Sequence, residues 1–365
     1  MQGLTLPSLA AEVERQSKTK RDFIAPASRI KFVQAGEEVG NVNSHTKLAM
    51  DGQDEPFKIR GLFHSQVEDH LKIPKPYYQR MLANAPVLLR RNVNHWLAQD
   101  TSTRLIRTLD GKARAFLSDR YRVLDNYDLC QSILPLFAKK GLKVISSEIT
   151  ESRMYIKAIC PELTSEIKGL KIGDVVQGGV SVWNSETGCG TVGAESFIYT
   201  LACHNGMTVP MSGMRKHHLG RRYNGDDMSA REIFRDETRE ADDKAFFMKV
   251  QDVVADCVSE DRFGKIIAKI NSAVTDNEIL SPKGRPVEDV IEVTRKAFDI
   301  TETEGASIMK HLVNGGDLSR WGVVSAVTRT AQDVDSYDRF DELQRIGGEI
   351  LELPKSRWAE IALRN

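Results

Sequence analysis

The sequence has no net charge: 51 lysines and arginines stand against 51 aspartates and glutamates in 365 residues. No whole-molecule field draws such a chain to nucleic acid or to an anionic membrane, so any attraction has to come from charges gathered locally. No run approaches the roughly 18 apolar residues of a spanning helix. Cysteine is scarce, and its five copies (Cys130, Cys160, Cys189, Cys203, Cys257) include no CxxC pair, which fits thiols in a reducing compartment better than a disulfide framework. The opening stretch, MQGLTLPSLAAEVERQSKTKRDF, holds no uninterrupted apolar segment of the secretory kind. These absences set the expectation of a cytoplasmic protein that does not enter a membrane. There is also no internal repeat, no low-complexity tract and no GxxxxGK phosphate loop.

What is present reads as an α+β protein, with enough apolar side chain (41%) for two or three cores. Residues 1–22 end in the basic run Lys18, Lys20, Arg21 and carry little periodicity, so a flexible basic arm with at most one short helix is expected. Residues 23–225 read as an α+β core containing a basic hairpin, and 226–365 as a helical C-terminal region. Between Ser65 and Gln99, Pro74, Pro76 and Pro86 divide three short helices; in the third, Leu89, Val93, Trp96 and Leu97 share a face expected to be core. The Asp110-Gly111 pair between strand-like runs suits a two-residue type I′ turn, whose central positions both take positive φ, and predicts a β-hairpin over about 103–117. Asp125 or Asn126 caps a helix that carries Leu129, Ile133, Leu136 and Phe137 and ends at Gly141. Strands follow at 142–149, 153–160 and 175–183, while 196–203, apolar on both alternations, leaves strand and helix open. The 3.6-residue spacing of Phe246, Val250, Val254 and Cys257, and of Val287, Val290, Ile291 and Thr294, predicts helices beyond Ser229. Gly347-Gly348 is expected to break the last helical stretch before Trp358.

Charge is unevenly placed. Between Lys72 and Arg122 eleven basic residues face three acids, Asp100, Asp110 and Asp119. A second cluster, 204–222, holds Arg215, Lys216, Arg221, Arg222 and the histidines His204, His217 and His218 without a carboxylate; the balancing acids follow over 226–243. A two-residue hairpin loop sets Arg107 opposite Arg114 and Leu105 opposite Phe116. Like charges so placed repel, so the pair calls for an anion, either a carboxylate from elsewhere in the chain or a phosphate. Phe116 and Tyr121, the latter between Arg120 and Arg122, offer aromatic faces on which a base can stack. Internal pairing, with the acids of 226–243 as its source, stands as the competing reading.

Other motifs carry less. Gly188, Gly190 and Gly193 spell GxGxxG, but 196–225 lacks the acid that holds the ribose in a dinucleotide fold. A tight glycine turn explains them better. Cys189, Cys203, His204, His217 and His218 are zinc-type residues at spacings that match no ligand knuckle. Asp100 with Asp110 and Lys112 is faintly like the carboxylates and lysine of a metal-dependent nuclease.

Four segments, RAFLSDRYRVLDNYDL (114–129), SVWNSETGCGTVGAESFIYTLACHNGM (181–207), RKHHLG (215–220) and TAQDVDSYDRFDELQRIGGEIL (330–351), resemble the phage- and plasmid-borne proteins grouped as domain of unknown function 932. The resemblance spans nearly the whole chain from about Phe23. It implies a mobile-element origin and a bacterial host cell but supplies no chemistry. More loosely, the order helix (126–140), three strands and a possible helix from about 194 resembles the β-β-β-α core of Rad52-type single-strand annealing proteins. Annealing needs a basic groove, free of metal and cofactor, that holds backbone and leaves base edges open.

The resulting expectation is a single-stranded DNA-binding protein of the annealing type, homo-oligomeric, with a β-β-β-α-like element in a mixed helix and sheet core. Arg104, Arg107, Lys112, Arg114, Arg120 and Arg122, with Phe116 and Tyr121, line its groove; Arg215, Lys216, His217, Arg221 and Arg222 form a second rim. The alternatives are a metal-dependent enzyme acting on nucleic acid, using Asp100, Asp110 and Lys112 or the Cys/His set, and an interaction protein that interferes with host defence.

Overall fold

In the computed structural model the described residues are 3–34, 46–167, 175–201, 204–210 and 236–364. They form an α+β structure built on two sheets. The first has six strands in the order β1-β5-β6-β4-β3-β2: β1 Arg21–Pro26, β2 Ile30–Gln34, β3 Thr46–Met50, β4 Phe57–Ile59, β5 Thr103–Leu109 and β6 Lys112–Ser118. All neighbours are antiparallel except β4 and β6. The parallel pair β4 and β6 is connected through α2 (Gly61–His70), α3 (Lys75–Asn84), α4 (Pro86–Gln99) and then β5, with α3 and α4 in the positions the prolines mark. These helices cover one face of the sheet with a core that includes Phe32, Leu48, Phe63, Val67, Leu89, Val93, Leu97, Ile106 and Phe116. Asn94 fixes α4 to the edge strand, accepting from Phe32 N at 2.7 Å and donating to Phe32 O at 2.9 Å. Trp96 departs from its expected place in that core: it is 48% exposed, one residue off the Leu89, Val93, Leu97 stripe.

The second sheet is an antiparallel meander of β7 (Lys143–Ile149), β8 (Met154–Glu166), β9 (Val175–Asn184), β10 (Gly193–Thr200) and β11 (Asn205–Val209). Within the segment left open between strand and helix, residues 196–200 belong to the strand β10, buried on both faces, which is why it shows no alternation; 202–203 lie outside the described residues. No helix follows β9 directly, so the order resembling β-β-β-α continues instead into two further strands.

Helices sandwich this sheet. On one side lie α1 (Leu6–Thr19), α5 (Asn126–Lys139) and α6 (Asp236–Cys257), with Cys130 Sγ 3.8 Å from Met154 Sδ. On the other lies α11 (Tyr337–Glu352), where Tyr155 OH donates to Asp338 at 2.8 Å and the fully buried Lys157 pairs with Asp341 at 2.7 Å. Burial pushes the Lys157 ammonium down, against the pull of that carboxylate. The remaining helices, α7 (Glu260–Thr275), α8 (Val287–Ala297), α9 (Glu302–Gly315), α10 (Arg320–Thr330) and α12 (Lys355–Ala362), complete the helical C-terminal region.

Two expectations change. The described part of the expected arm, residues 3–22, is not free: α1 buries Leu9 and Val13 against α5 and β7, and Leu4 N donates to Ser147 O at 2.6 Å. With only two buried positions, its periodicity is too thin to read. Gly347-Gly348 does not break the last helix either, since α11 runs through both. A Cβ on Gly347 would lie 2.4 Å from Thr328 Cγ2, and one on Gly348 2.0 Å from Thr208 O, so the glycines let α11 pack onto α10 and β11.

Alanine normally stabilises a helix relative to glycine by about 1 kcal/mol. Gly264→Ala, in open space within α7, is expected to raise stability by about that amount, whereas Gly348→Ala is expected to cost about 1–3 kcal/mol through overpacking. Urea unfolding of the two variants checks the opposite signs.

A titration adds a second test. Burial pushes the imidazole of His64, which meets Tyr78 OH at 2.8 Å, down from its ordinary 6.5 to about 4. The unfolded chain takes up that proton first, so the contribution of His64 is full above pH 6.5 and is lost as pH falls toward 4, by on the order of 3 kcal/mol. Replacing His64 with Gln should flatten the stability profile between pH 6.5 and 5; an unchanged slope contradicts the assignment.

Candidate nucleic-acid interface and the charged junction behind it

The hairpin forms where its turn residues place it, with φ 51° at Asp110 and 69° at Gly111. Its register departs from the simple one. Leu109 pairs with Lys112 and Thr108 with Ala113, but Arg107 then pairs with Ala115 and Ile106 with Phe116, so Arg114 sits in a bulge. The extra residue turns Ala113 and Phe116 to the helix-covered face, while Ala115 and Leu117 join Leu105 on the other. Arg107 and Arg114 are consequently not directly opposed.

Both arginines are inside the molecule, and their anions are carboxylates. Arg107, 0% exposed, donates from Nε to Asp22 Oδ1 at 2.9 Å, from Nη2 to Asp125 Oδ1 at 2.6 Å and from Nη1 to the Glu186 carbonyl at 3.0 Å. Arg114, 5% exposed, has Nη1 2.8 Å from Glu186 Oε2. Lys20 closes on Asp125 from the end of α1. The placement of Arg107 and Arg114 among phosphate-binding residues is therefore corrected: internal pairing holds them, with Asp22, Asp125 and Glu186 as partners.

The N-terminus of α5 organises this junction. Asp125 occupies the N-cap position, yet its side chain turns to Arg107, and Glu186 supplies the missing acceptor by taking Asn126 N at 2.7 Å. A carboxylate there meets unpaired N–H groups and the positive end of the helix. Burial raises the Asp125 carboxyl, but Arg107 and Lys20 outweigh it and hold it below the usual range. Burial likewise opposes the Arg107 charge, and Asp125 and Asp22 reverse the effect.

The glycine-rich loop after β9 fits beneath the hairpin. Gly188 has φ 79°, and a Cβ on it would lie 2.5 Å from Leu117 Cδ2. Gln66 bridges the parts, donating to Thr187 O at 2.6 Å and accepting from Phe116 N at 2.7 Å. Close approach of the two sheets accounts for Gly188, while a Cβ on Gly190 or Gly193 would meet the side chains of Arg153 and Trp183.

The other expected site residues scatter. Phe116 is buried against Phe63 and is unavailable to a base. Arg104 is half-buried, its guanidinium 4.9 Å from the Phe116 ring centre and bonded to His70. Tyr121 packs beside Leu105 and Leu117 and donates to Ser185 O at 2.7 Å. Arg122 binds Asp242 and Asp243 of α6 at 3.1 and 2.5 Å, so acids expected from 226–243 do serve this arginine. Lys112 and Arg120 are exposed, and Lys112 lies in register with Lys58, itself in register with Lys47. Arg215, Lys216, His217, Arg221 and Arg222 lie outside the described residues, as do Cys203 and His218.

The nuclease arrangement does not assemble as drawn. Asp100 and Asp110 stand at opposite ends of β5, roughly 20 Å of strand apart. Asp100 binds His70 at 2.6 Å, and Asp110 binds Arg15 at 2.7 Å. Among the described residues no three His, Cys, Asp or Glu side chains gather as a metal-ligand set.

A different basic surface emerges. From Leu71 to Gln99 the chain has no carboxylate at all, and it folds as α3 and α4 on the outside of the first sheet. Burial of Leu89, Val93 and Leu97 leaves Val87, Arg91 and His95 on the outer side of α4. Lys72, Lys75 and Arg80 are exposed before and along α3. Tyr77, 44% exposed, and Trp96, edge-on to His95 at 5.1 Å, add solvent-facing rings. The signal in the sequence was the acid-free run itself, obscured by assigning Trp96 to the core.

No family model matches the chain, and no curated protein or solved structure matches it.

Because Arg107 neutralises two carboxylates inside the junction, Arg107→Met is expected to cost about 3–5 kcal/mol in urea unfolding. Unchanged stability would show that the junction does not hold the sheets.

Proposed function

We propose that this protein binds single-stranded DNA through the outer face of α3 and α4. The observation that carries the reading is the 29-residue stretch 71–99, free of carboxylates, whose exposed Lys75, Arg80, Arg91 and His95 stand beside exposed Tyr77 and Trp96. Cations on a helical surface take phosphates without base selection, and aromatic faces stack on bases of any identity. Such a surface holds backbone and leaves Watson–Crick edges free, the condition for annealing two strands. Several weak sites of this kind add through effective concentration when copies of the chain stand side by side, so the proposal includes a homo-oligomer on DNA.

Fluorescence anisotropy with a 5′-hydroxyl oligonucleotide is the test. Binding should weaken with salt at about −0.7 in log–log slope per phosphate contacted, and Arg80→Ala with Arg91→Ala should flatten that slope by about one unit. Trp96→Ala should cost about 1–3 kcal/mol of affinity. All three substitutions lie on exposed positions, so the melting temperature should hold. Absence of binding at low salt, or equal binding by the arginine variant, overturns the reading.

A further inference from the structure

The six-stranded sheet has a second face, turned away from α2, α3 and α4. Ile30, Phe32, Leu48, Met50 and Ala113 point into the core beneath those helices, and Phe57 and Ile59 pack against it. Alternation along each strand therefore turns Lys31, Lys47, Lys58 and Lys112 the other way. On that face Lys31, Lys58 and Lys112 are exposed, while Val33, Lys47 and Ala49 are half-buried, so among the described residues nothing closes it off from water.

Strand pairing lines these lysines up. Lys47 stands opposite Lys58, and Lys58 opposite Lys112, which places three in one row across β3, β4 and β6 at strand spacings of about 4.8 Å. Lys31 continues the patch onto β2, paired with Ala49 two residues along from Lys47. Like charges so placed repel, yet β2, β3, β4 and β6 contain no carboxylate. The acids that follow β3 and precede β6 turn elsewhere, Asp51 to Arg29 and Asp110 to Arg15. Lys31, Lys47 and Lys112 form no ion pair among the described residues.

From this arrangement we infer that the open face of the first sheet binds the phosphate backbone of a nucleic-acid duplex without regard to base sequence. A polyanion relieves the repulsion along the row, and lysine takes phosphate as a point charge that needs no fixed geometry. Between the lysines stand Val33 and Ala49, and no aromatic ring of these strands points to this face. The bases of a single strand would find nothing to stack on, whereas a duplex keeps its bases stacked inside and presents phosphates, one charge per roughly 1.7 Å of axis. The rings Tyr77 and Trp96 belong to the α3–α4 surface on the other side of the sheet, so the inference goes beyond the single-strand reading and does not rest on it.

Fluorescence anisotropy with a short blunt duplex tests it, using the chain that carries Lys31→Gln, Lys47→Gln and Lys112→Gln together. The log–log salt slope for the duplex is expected to flatten by about two to three units, at about 0.9 per lysine, and the affinity at low salt to fall roughly tenfold or more. The same variant should bind 5′-hydroxyl oligothymidylate as the parent chain does, and its melting temperature should not fall, because the changes relieve repulsion. Arg80→Ala with Arg91→Ala should leave the lysine-dependent part of duplex binding in place, which separates this result from failure of the single-strand reading. An unchanged duplex slope in the lysine variant overturns the inference, as does an equal loss on the single strand. Competition by polyglutamate as strong as that by unlabelled duplex also overturns it, and would assign the face to an acidic protein segment.

Discussion

A guanidinium carried into a protein interior has to be met by acceptors there, and Arg107 imposes that condition on three separate stretches of chain. Asp22 comes from β1, Asp125 from the start of α5, and the Glu186 carbonyl from the loop after β9. Removing either carboxylate leaves the fully buried guanidinium with one counter-charge in place of two. The two sheets have separate apolar cores, with only a small cluster around Leu105, Ala115 and Leu117 between them. Apolar burial at the joint is slight, so its register rests on these directed ionic contacts, on Gln66 and on the close approach that Gly188 permits.

Charge in this molecule thus serves two purposes that composition cannot separate. Arginines on the inner face of the hairpin, and Arg122 against α6, are spent on internal carboxylates. The acid-free helices on the far side of the first sheet keep their cations in water, where a phosphate backbone can reach them. An overall charge of zero is consistent with both, because the acids that balance the chain all lie outside residues 71–99, in the junction, in α6 and elsewhere, rather than across α3 and α4.

Elements fixed by local chemistry were legible. Asp110-Gly111 specifies its turn whatever surrounds it, prolines set the limits of α3 and α4, and the stripes of α5 and α8 follow from burial of one helix face. What escaped depends on tertiary contact. The bulge at Arg114 moves it out of register with Arg107, and no local residue announces it. Asp125 has the look of a helix cap but serves an arginine, so the true acceptor for Asn126 N, Glu186, lies 60 residues beyond Asn126 in a loop read only for its glycines. β10 is buried on both sides and loses the alternation that marks a strand. Gly347 and Gly348 read as helix breakers, although the contacts with Thr328 and Thr208 make them conditions of helix packing.

The claim on which the account turns is that Arg107 and Asp125 depend on each other inside the joint. A double-mutant cycle with Arg107→Met and Asp125→Leu, read by urea unfolding, measures that dependence. Each single change leaves the partner charge with one ion pair where it had two, Lys20 for Asp125 and Asp22 for Arg107, and should be destabilising, while the double variant should recover at least about 1 kcal/mol relative to the sum of the two. Additive costs would contradict the account, because they would mean that the two side chains stabilise the fold independently of one another.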